Sequence, residues 1–224
     1  MLFQDRTDAG QQLAKKLLSY ANRSDVLVLA LPRGGVPIAF EVAKALNAPL
    51  DIFSVRKLGV PGQEELAMGA IASGGIRILN EGVVNYLHIS NQTIDTVAAK
   101  ELQELERREQ AYRGSRPQVD VHNRTVILID DGLATGSTMR AAVVALHKLQ
   151  PSRIIVAVPV SSASTCEEFK DYVDEIVCAT TPEPFYAVGL WYKDFSQTTD
   201  EEVHSLLAQA ANLGYRQTAK KAST

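Results

Sequence analysis

Val126-Ile127-Leu128-Ile129-Asp130-Asp131-Gly132-Leu133-Ala134-Thr135-Gly136-Ser137-Thr138-Met139 is the stretch on which the fold turns. Its first four residues are all apolar, which suits a strand covered on both faces. Two carboxylates follow at the strand's C-terminal end. A loop of small residues then opens into a helical pattern, with Met139, Ala142, Val143, Leu146 and Leu149 on one face. Strand, loop and helix in that order make one unit of an open α/β sheet. Ligands of such sheets bind beyond the carboxyl ends of the strands.

Similar units flank it. Val26–Leu31 is another short apolar run; it ends at Pro32-Arg33-Gly34-Gly35 and leads to a helix over 36–46 and a strand around 50–55. Further runs lie at 125–129, 154–160 and 175–178, with helices expected over 8–22, 136–149 and 163–173. Short buried strands alternating with helices predict an α/β fold, a largely parallel twisted sheet flanked by helices. Residues 1–213 read as a single domain, and 214–224 as a polar, frayed tail.

Two regions break the rhythm. Residues 58–80 contain five glycines and one proline, and read as a long irregular flap. Residues 91–113 read as a charged helix with a narrow apolar stripe of Ile94, Val97, Ala98, Leu102 and Leu105. Glu104–Arg108 and Glu109–Arg113 are i,i+4 pairs worth about 0.3 kcal/mol each if solvated. Thr199-Asp200-Glu201-Glu202 is a capping box that starts a last helix.

The loop after Asp130 and Asp131 carries the chemistry. Backbone N–H groups, the hydroxyls of Thr135, Ser137 and Thr138, and a helix N-terminus all favour an anion. The two aspartates repel that anion and suit hydroxyls or a cation. Together they describe a site for a sugar phosphate. A nucleotide-binding P-loop would place Lys after its second Gly, and none stands here; the dinucleotide G-x-G-x-x-G spacing is also absent. A phosphatase of D-x-D type would need an acid at Gly132.

Bulk properties narrow the class. The chain has 224 residues, 22% of them charged, and a net charge of −3, which gives no basic field for nucleic acid or an anionic membrane. Cys166 and Cys178 are too few for a disulfide framework and read as buried reduced thiols. The N-terminus lacks signal-peptide character, and no apolar run reaches the roughly 18 residues of a membrane span. A cytoplasmic location is the expectation. His88, His122, His147 and His204 lack ligand spacing, so no zinc site is expected.

Asp130–Thr138 resembles the signature of type I phosphoribosyltransferases, an apolar strand, two acids and a T-G-x-T loop, in a version similar to that of adenine phosphoribosyltransferases. The likeness spans residues 1–190, and the whole chain is similar to bacterial members of the family without an assigned substrate. It implies a domain that binds phosphoribosyl pyrophosphate with magnesium, carries a small hood subdomain and forms a homodimer. Ala134, Thr135, Gly136, Ser137 and Thr138 would grip the 5′-phosphate. Asp130 and Asp131 would hold the ribose hydroxyls, and indirectly the metal. Arg33, Gly34 and Gly35 would meet the pyrophosphate at a loop that commonly holds a non-proline cis peptide. Lys57 or Arg56, a basic pair ahead of the flap, would contact the leaving group; Glu64 and Glu65 read as solvated flap carboxylates.

The hood would come from 81–115 and 180–198, with Phe185 and Tyr186 stacking on the base. Ala134 stands where some purine enzymes of the family carry Asp, which argues against hypoxanthine–guanine-type chemistry. Adenine and xanthine enzymes carry a small residue there. The resemblance therefore implies transfer of ribose 5-phosphate to a purine, a pyrimidine or another nitrogenous base in salvage. The alternatives are a non-catalytic donor-binding regulator and, more weakly, a phosphorylase or pyrophosphohydrolase of related geometry.

Overall fold

The computed structural model describes residues 2–221, with side chains only as far as residue 213. Five parallel strands form the central sheet: β1 (Val26–Ala30), β2 (Leu50–Ile52), β6 (Thr125–Ile129), β7 (Arg153–Val160) and β8 (Glu175–Thr180), in the spatial order β2-β1-β6-β7-β8. Ala30 pairs with Ile129, so β1 and β6 end level, while Ile129 pairs with Ala157 and β7 runs on to Val160.

Alternation along the strands builds both helical layers. Val26, Val28, Ala30, Ile127 and Ile129 pack beneath α1 (Arg6–Lys16), α2 (Gly35–Leu46) and the start of α7 (Asp200–Lys221). Leu27, Leu29, Val126 and Leu128 pack beneath α5 (Ser137–Lys148) and α6 (Ala163–Phe169). Burying each Leu, Ile or Val contributes roughly 1.5–3 kcal/mol, and the one polar residue in these two strands, Thr125, donates its hydroxyl to Asp25. The Thr199 hydroxyl accepts from Glu202 N at 3.1 Å, as the capping box requires. Helix α7 passes Gly214; the side chains of the expected polar tail lie outside the described residues. Among the described residues no helix is long and apolar enough to cross a membrane.

The segment expected to be an irregular flap is instead an antiparallel sheet of β3 (Val55–Val60), β4 (Gln63–Ala72) and β5 (Ile76–Leu79). Its glycines serve close pairing as well as turns: a Cβ on Gly69 would lie 2.3 Å from the Ile78 carbonyl oxygen. Leu58, Val60, Met68 and Ile71 pack on Ile94, Ala98 and Leu105 of the long helix α4 (Asn91–Arg113), which follows the short α3 (Glu81–Tyr86).

Two further expectations are corrected. Glu109 and Arg113 are buried, not a solvated pair. Arg113 donates to Asp51 Oδ1, Glu109 Oε2 and the Ile52 carbonyl, each at 2.8 Å, and so rivets α4 to β2. Cys166 in α6 and Cys178 in β8 are half-buried and joined by a disulfide, where separate thiols were expected.

Candidate active site

The sheet order reverses between β1 and β6, because the chain leaves β1 toward β2 and later returns on β1's other side. Crevices of doubly wound sheets open at such a switch point. Here Leu31 N donates to the Ile129 carbonyl at 2.9 Å, and Leu133 N to the Val160 carbonyl at 2.9 Å. The Pro32–Gly35 loop and the Asp130–Gly136 loop therefore leave the sheet side by side. A Cβ on Gly34 would lie 2.1 Å from Asp131 Oδ2, so glycine is needed there for the loops to meet at all. The Pro32–Arg33 peptide bond is cis, as the resemblance implies.

At the far end of the second loop, Gly136 takes the left-handed conformation at φ 69°. A Cβ there would also strike the Phe169 ring at 2.5 Å. Helix α5 starts at the next residue with no side chain capping it. Its first N–H groups are left without intrahelical partners and its dipole favours negative charge, which together make an anion site. The Thr135 and Ser137 hydroxyls lie exposed and 3.1 Å apart beside it. Ala134 is fixed through its carbonyl, which accepts from Thr165 Oγ1 at 3.1 Å.

Between the loops sits the acid pair. Asp131 Oδ2 accepts from Arg6 Nε at 3.1 Å and Nη2 at 2.9 Å, and the Asp131 carbonyl accepts from the Tyr192 hydroxyl at 2.6 Å. Asp130 Oδ1 accepts from Asp131 N at 2.9 Å. Burial pushes the Asp130 carboxyl far above the usual carboxylate range, with the neighbouring Asp131 charge adding to the effect. Burial raises Asp131 too, but Arg6 opposes it. The Arg6 guanidinium thus favours the negative charge on Asp131 over that on Asp130. Arg6 escaped sequence reasoning. Its one local signal is a cation in the first turn of a helix, where the dipole disfavours it.

A cationic pocket adjoins the Arg33 loop. Arg33, Arg56 and Arg108 line it together with Ser54, Tyr112 and Thr138. Each guanidinium is held from the side by a carboxylate: Arg33 by Asp200 at 3.6 Å, Arg56 by Glu101 at 2.6 Å and Arg108 by Glu104 at 2.7 Å. Tyr112 donates to the same Asp200 at 2.8 Å, and burial pushes its hydroxyl up to about 12. The buried Ser54 hydroxyl has no partner among the described residues. Arg108 and Tyr112 come from α4, which the sequence assigned to the hood and not to the pyrophosphate side.

The expected basic pair is split. Successive strand residues point to opposite faces, so Arg56 lines the pocket while Lys57 lies outside it, bonded to the Glu65 carbonyl and Oε2 at 3.3 and 3.2 Å. Glu64 accepts from Gly62 N at the hairpin turn. Phe185 packs on the layer under α1 and α2, and Tyr186 is 77% exposed. Val188 lies over the acid loop; a Cβ on Gly132 would meet its methyl at 2.6 Å. Among the described residues no three His, Cys, Asp or Glu side chains gather to enclose a metal.

A parallel sheet with helices on both faces, and a helix N-terminus, an acid pair and a cationic pocket at its switch point, defines a doubly wound α/β protein. Residues 3–190 match the family described as the phosphoribosyl transferase domain, and the chain belongs to that family. A Mycobacterium tuberculosis (strain H37Rv) protein provisionally named phosphoribosyl transferase is 46% identical over 209 residues, 93% of this chain and 47% of its own length. The chain therefore spans about half of the curated relatives it matches. The crystal structure of TT1426 from Thermus thermophilus is 40% identical with a TM-score of 0.81, covering 93% of this chain and 99% of that one.

Proposed function

We propose that the chain transfers ribose 5-phosphate from phosphoribosyl pyrophosphate to a nitrogenous base and releases pyrophosphate. The observation that carries this reading is that the uncapped α5 N-terminus, the acid pair and the arginine pocket gather around the adjoining β1 and β6 loops, with Thr138 of α5 lining the pocket. The three suit phosphate, sugar and pyrophosphate respectively.

In the reaction a base nitrogen bonds to the anomeric carbon as the carbon–oxygen bond to pyrophosphate breaks, and the departing oxygen keeps the electron pair. The 5′-phosphate is remote from that bond, so its grip by Ala134–Thr138 serves orientation. Asp130 and Asp131 hold the ribose hydroxyls and stabilise charge developing on the ring. Arg33, Arg56 and Arg108 stabilise charge building on the leaving group. The unpartnered oxygens of the acid pair suit magnesium reached through water, and a bound magnesium would neutralise pyrophosphate charge. The cis-loop glycines Gly34 and Gly35 keep the two loops in register. The base enters near Val188 and the 180–198 segment, where Phe185 and Tyr186 are the candidates to face it. Cytoplasmic salvage as a homodimer is the setting this reading favours.

The test is pyrophosphate release with magnesium and donor across purines, pyrimidines and non-base amines. Donor-dependent release with at least one acceptor supports transfer. A second reading, a donor-binding regulator, is favoured by the position of Lys57 outside the pocket. Calorimetric donor binding without release against the whole panel selects it, and release of ribose 5-phosphate without an acceptor selects hydrolysis.

A further inference from the structure

We infer that Arg6 is the positioning residue of the sugar subsite: it fixes the Asp131 carboxylate for the ribose hydroxyls and ties that carboxylate to the 185–198 segment. This rests on the donor reading above and names a residue outside both loops that carry it.

Arg6 comes from the first helical position of α1 and lies 125 residues from Asp131 in sequence. Helix stability does not explain it, because a cation at a helix N-terminus opposes the dipole. Its side chain is only 12% exposed, and all three guanidinium nitrogens are engaged. Nε and Nη2 converge on Asp131 Oδ2, while Nη1 donates to the Ser196 carbonyl at 2.6 Å. The guanidinium carbon stands 4.0 Å from the centroid of the Phe195 ring, a cation–π contact.

The geometry has a chemical consequence. An aspartate's terminal torsion is soft, so a free carboxylate would turn about its last bond. With both donors on Oδ2, the Asp131 plane is set and Oδ1 is left without a partner among the described residues. That oxygen is therefore the one free to accept from a ribose hydroxyl. A lysine at this position would supply charge but neither the fork nor the stacking plane. The same guanidinium clamps two segments that are distant in sequence. Phe3 N donates to the Trp191 carbonyl and Lys193 N to the Phe3 carbonyl, each at 2.9 Å, so the segment before Arg6 and the segment at Ser196 are already paired.

The test compares binding of phosphoribosyl pyrophosphate and of pyrophosphate alone, both with magnesium, by calorimetry on the full chain and on Arg6→Gln, Arg6→Lys and Phe195→Leu. Pyrophosphate lacks the sugar, so it reads the anion subsites without the hydroxyl contacts of Asp131. Arg6→Gln is expected to weaken phosphoribosyl pyrophosphate by about 10-fold or more while pyrophosphate affinity holds. Arg6→Lys should recover part of the loss, and Phe195→Leu should show a smaller loss of the same kind. If Arg6→Gln fails to fold, those two variants carry the comparison. Equal weakening of both ligands assigns Arg6 a merely structural role and overturns the inference, as does unchanged donor binding. A wild-type chain that binds no phosphoribosyl pyrophosphate overturns the donor reading as well, which separates that failure from failure at Arg6 alone.

Discussion

The two walls of the crevice are built differently. On the sheet side, the β1 and β6 loops interlock: there is no room for a Cβ at Gly34, and Asp131 is pinned by Arg6 and Tyr192. Toward α4, Arg33 of the β1 loop, Arg56 of β3 and Arg108 of α4 line a pocket, each held at its flank by a carboxylate. The first wall is set by packing, where small changes are felt in full. The second is set by ion pairs that an incoming pyrophosphate can replace, since partly solvated pairs are worth little. The lesson is that one wall is a preformed surface and the other an exchangeable one; on the proposed reading the first would meet the sugar and 5′-phosphate and the second the leaving group.

That contrast can be broken at the joint between the walls. Arg113→Met leaves Asp51 and Glu109 buried without their cation, and we expect a loss of about 3–5 kcal/mol in chemical denaturation. A loss below about 1 kcal/mol would show that α4 does not depend on this network.

Within the sheet-side wall, Gly34→Ala drives a methyl into the Asp131 carboxylate. Turnover should fall about 100-fold, the scale of a misplacement near one ångström. Asp130→Asn should reduce pyrophosphate release by a similar factor, about 100-fold, yet raise the thermal midpoint at pH 8. The sign follows from burial. The folded-state pKa of Asp130 lies above its unfolded value, so the folded chain holds the extra proton, and wild-type stability falls as pH rises between the two values. Near pH 4 the advantage of Asn should vanish; an equal gain at both pH values would refute this account.

Smaller effects test the α4 wall. Arg108→Gln should weaken pyrophosphate binding about 5–10-fold in calorimetry, with little change in stability. Lys57→Gln should change it less than about 2-fold, because that side chain points to the solvent face and its pair with Glu65 is exposed. A large Lys57 effect would mean that the β3–β4 hairpin turns inward when the donor binds.

Legibility in the sequence followed the range of the interactions. The strand at 125–129, the helix at 91–113 and the capping box at Thr199 were readable because strand burial, helical periodicity and caps are set by neighbours. The 58–80 segment was misread because its glycines look like flexibility in sequence, whereas Gly69 is there for strand contact. Arg56 and Lys57 could not be told apart, since the face each one takes depends on which side of β3 α4 covers. The Cys166–Cys178 bond likewise needs α6 laid back on β8.

By itself the sequence determined the parallel sheet flanked by helices, the small-residue loop at Ala134–Thr138 leading into a helix, and the adjacent acid pair, because each is a continuous segment whose pattern is local. Only the tertiary structure decided that Arg6 orients Asp131, that Arg108 and Ser54 join Arg33 in one pocket, and that Arg113 locks α4 to β2. Arg6 and Asp131 stand 125 positions apart along the chain, Arg113 and Asp51 stand 62 apart, and the pocket gathers residues from separate elements. Their partners are chosen by how packed layers meet, which no local pattern of residues records.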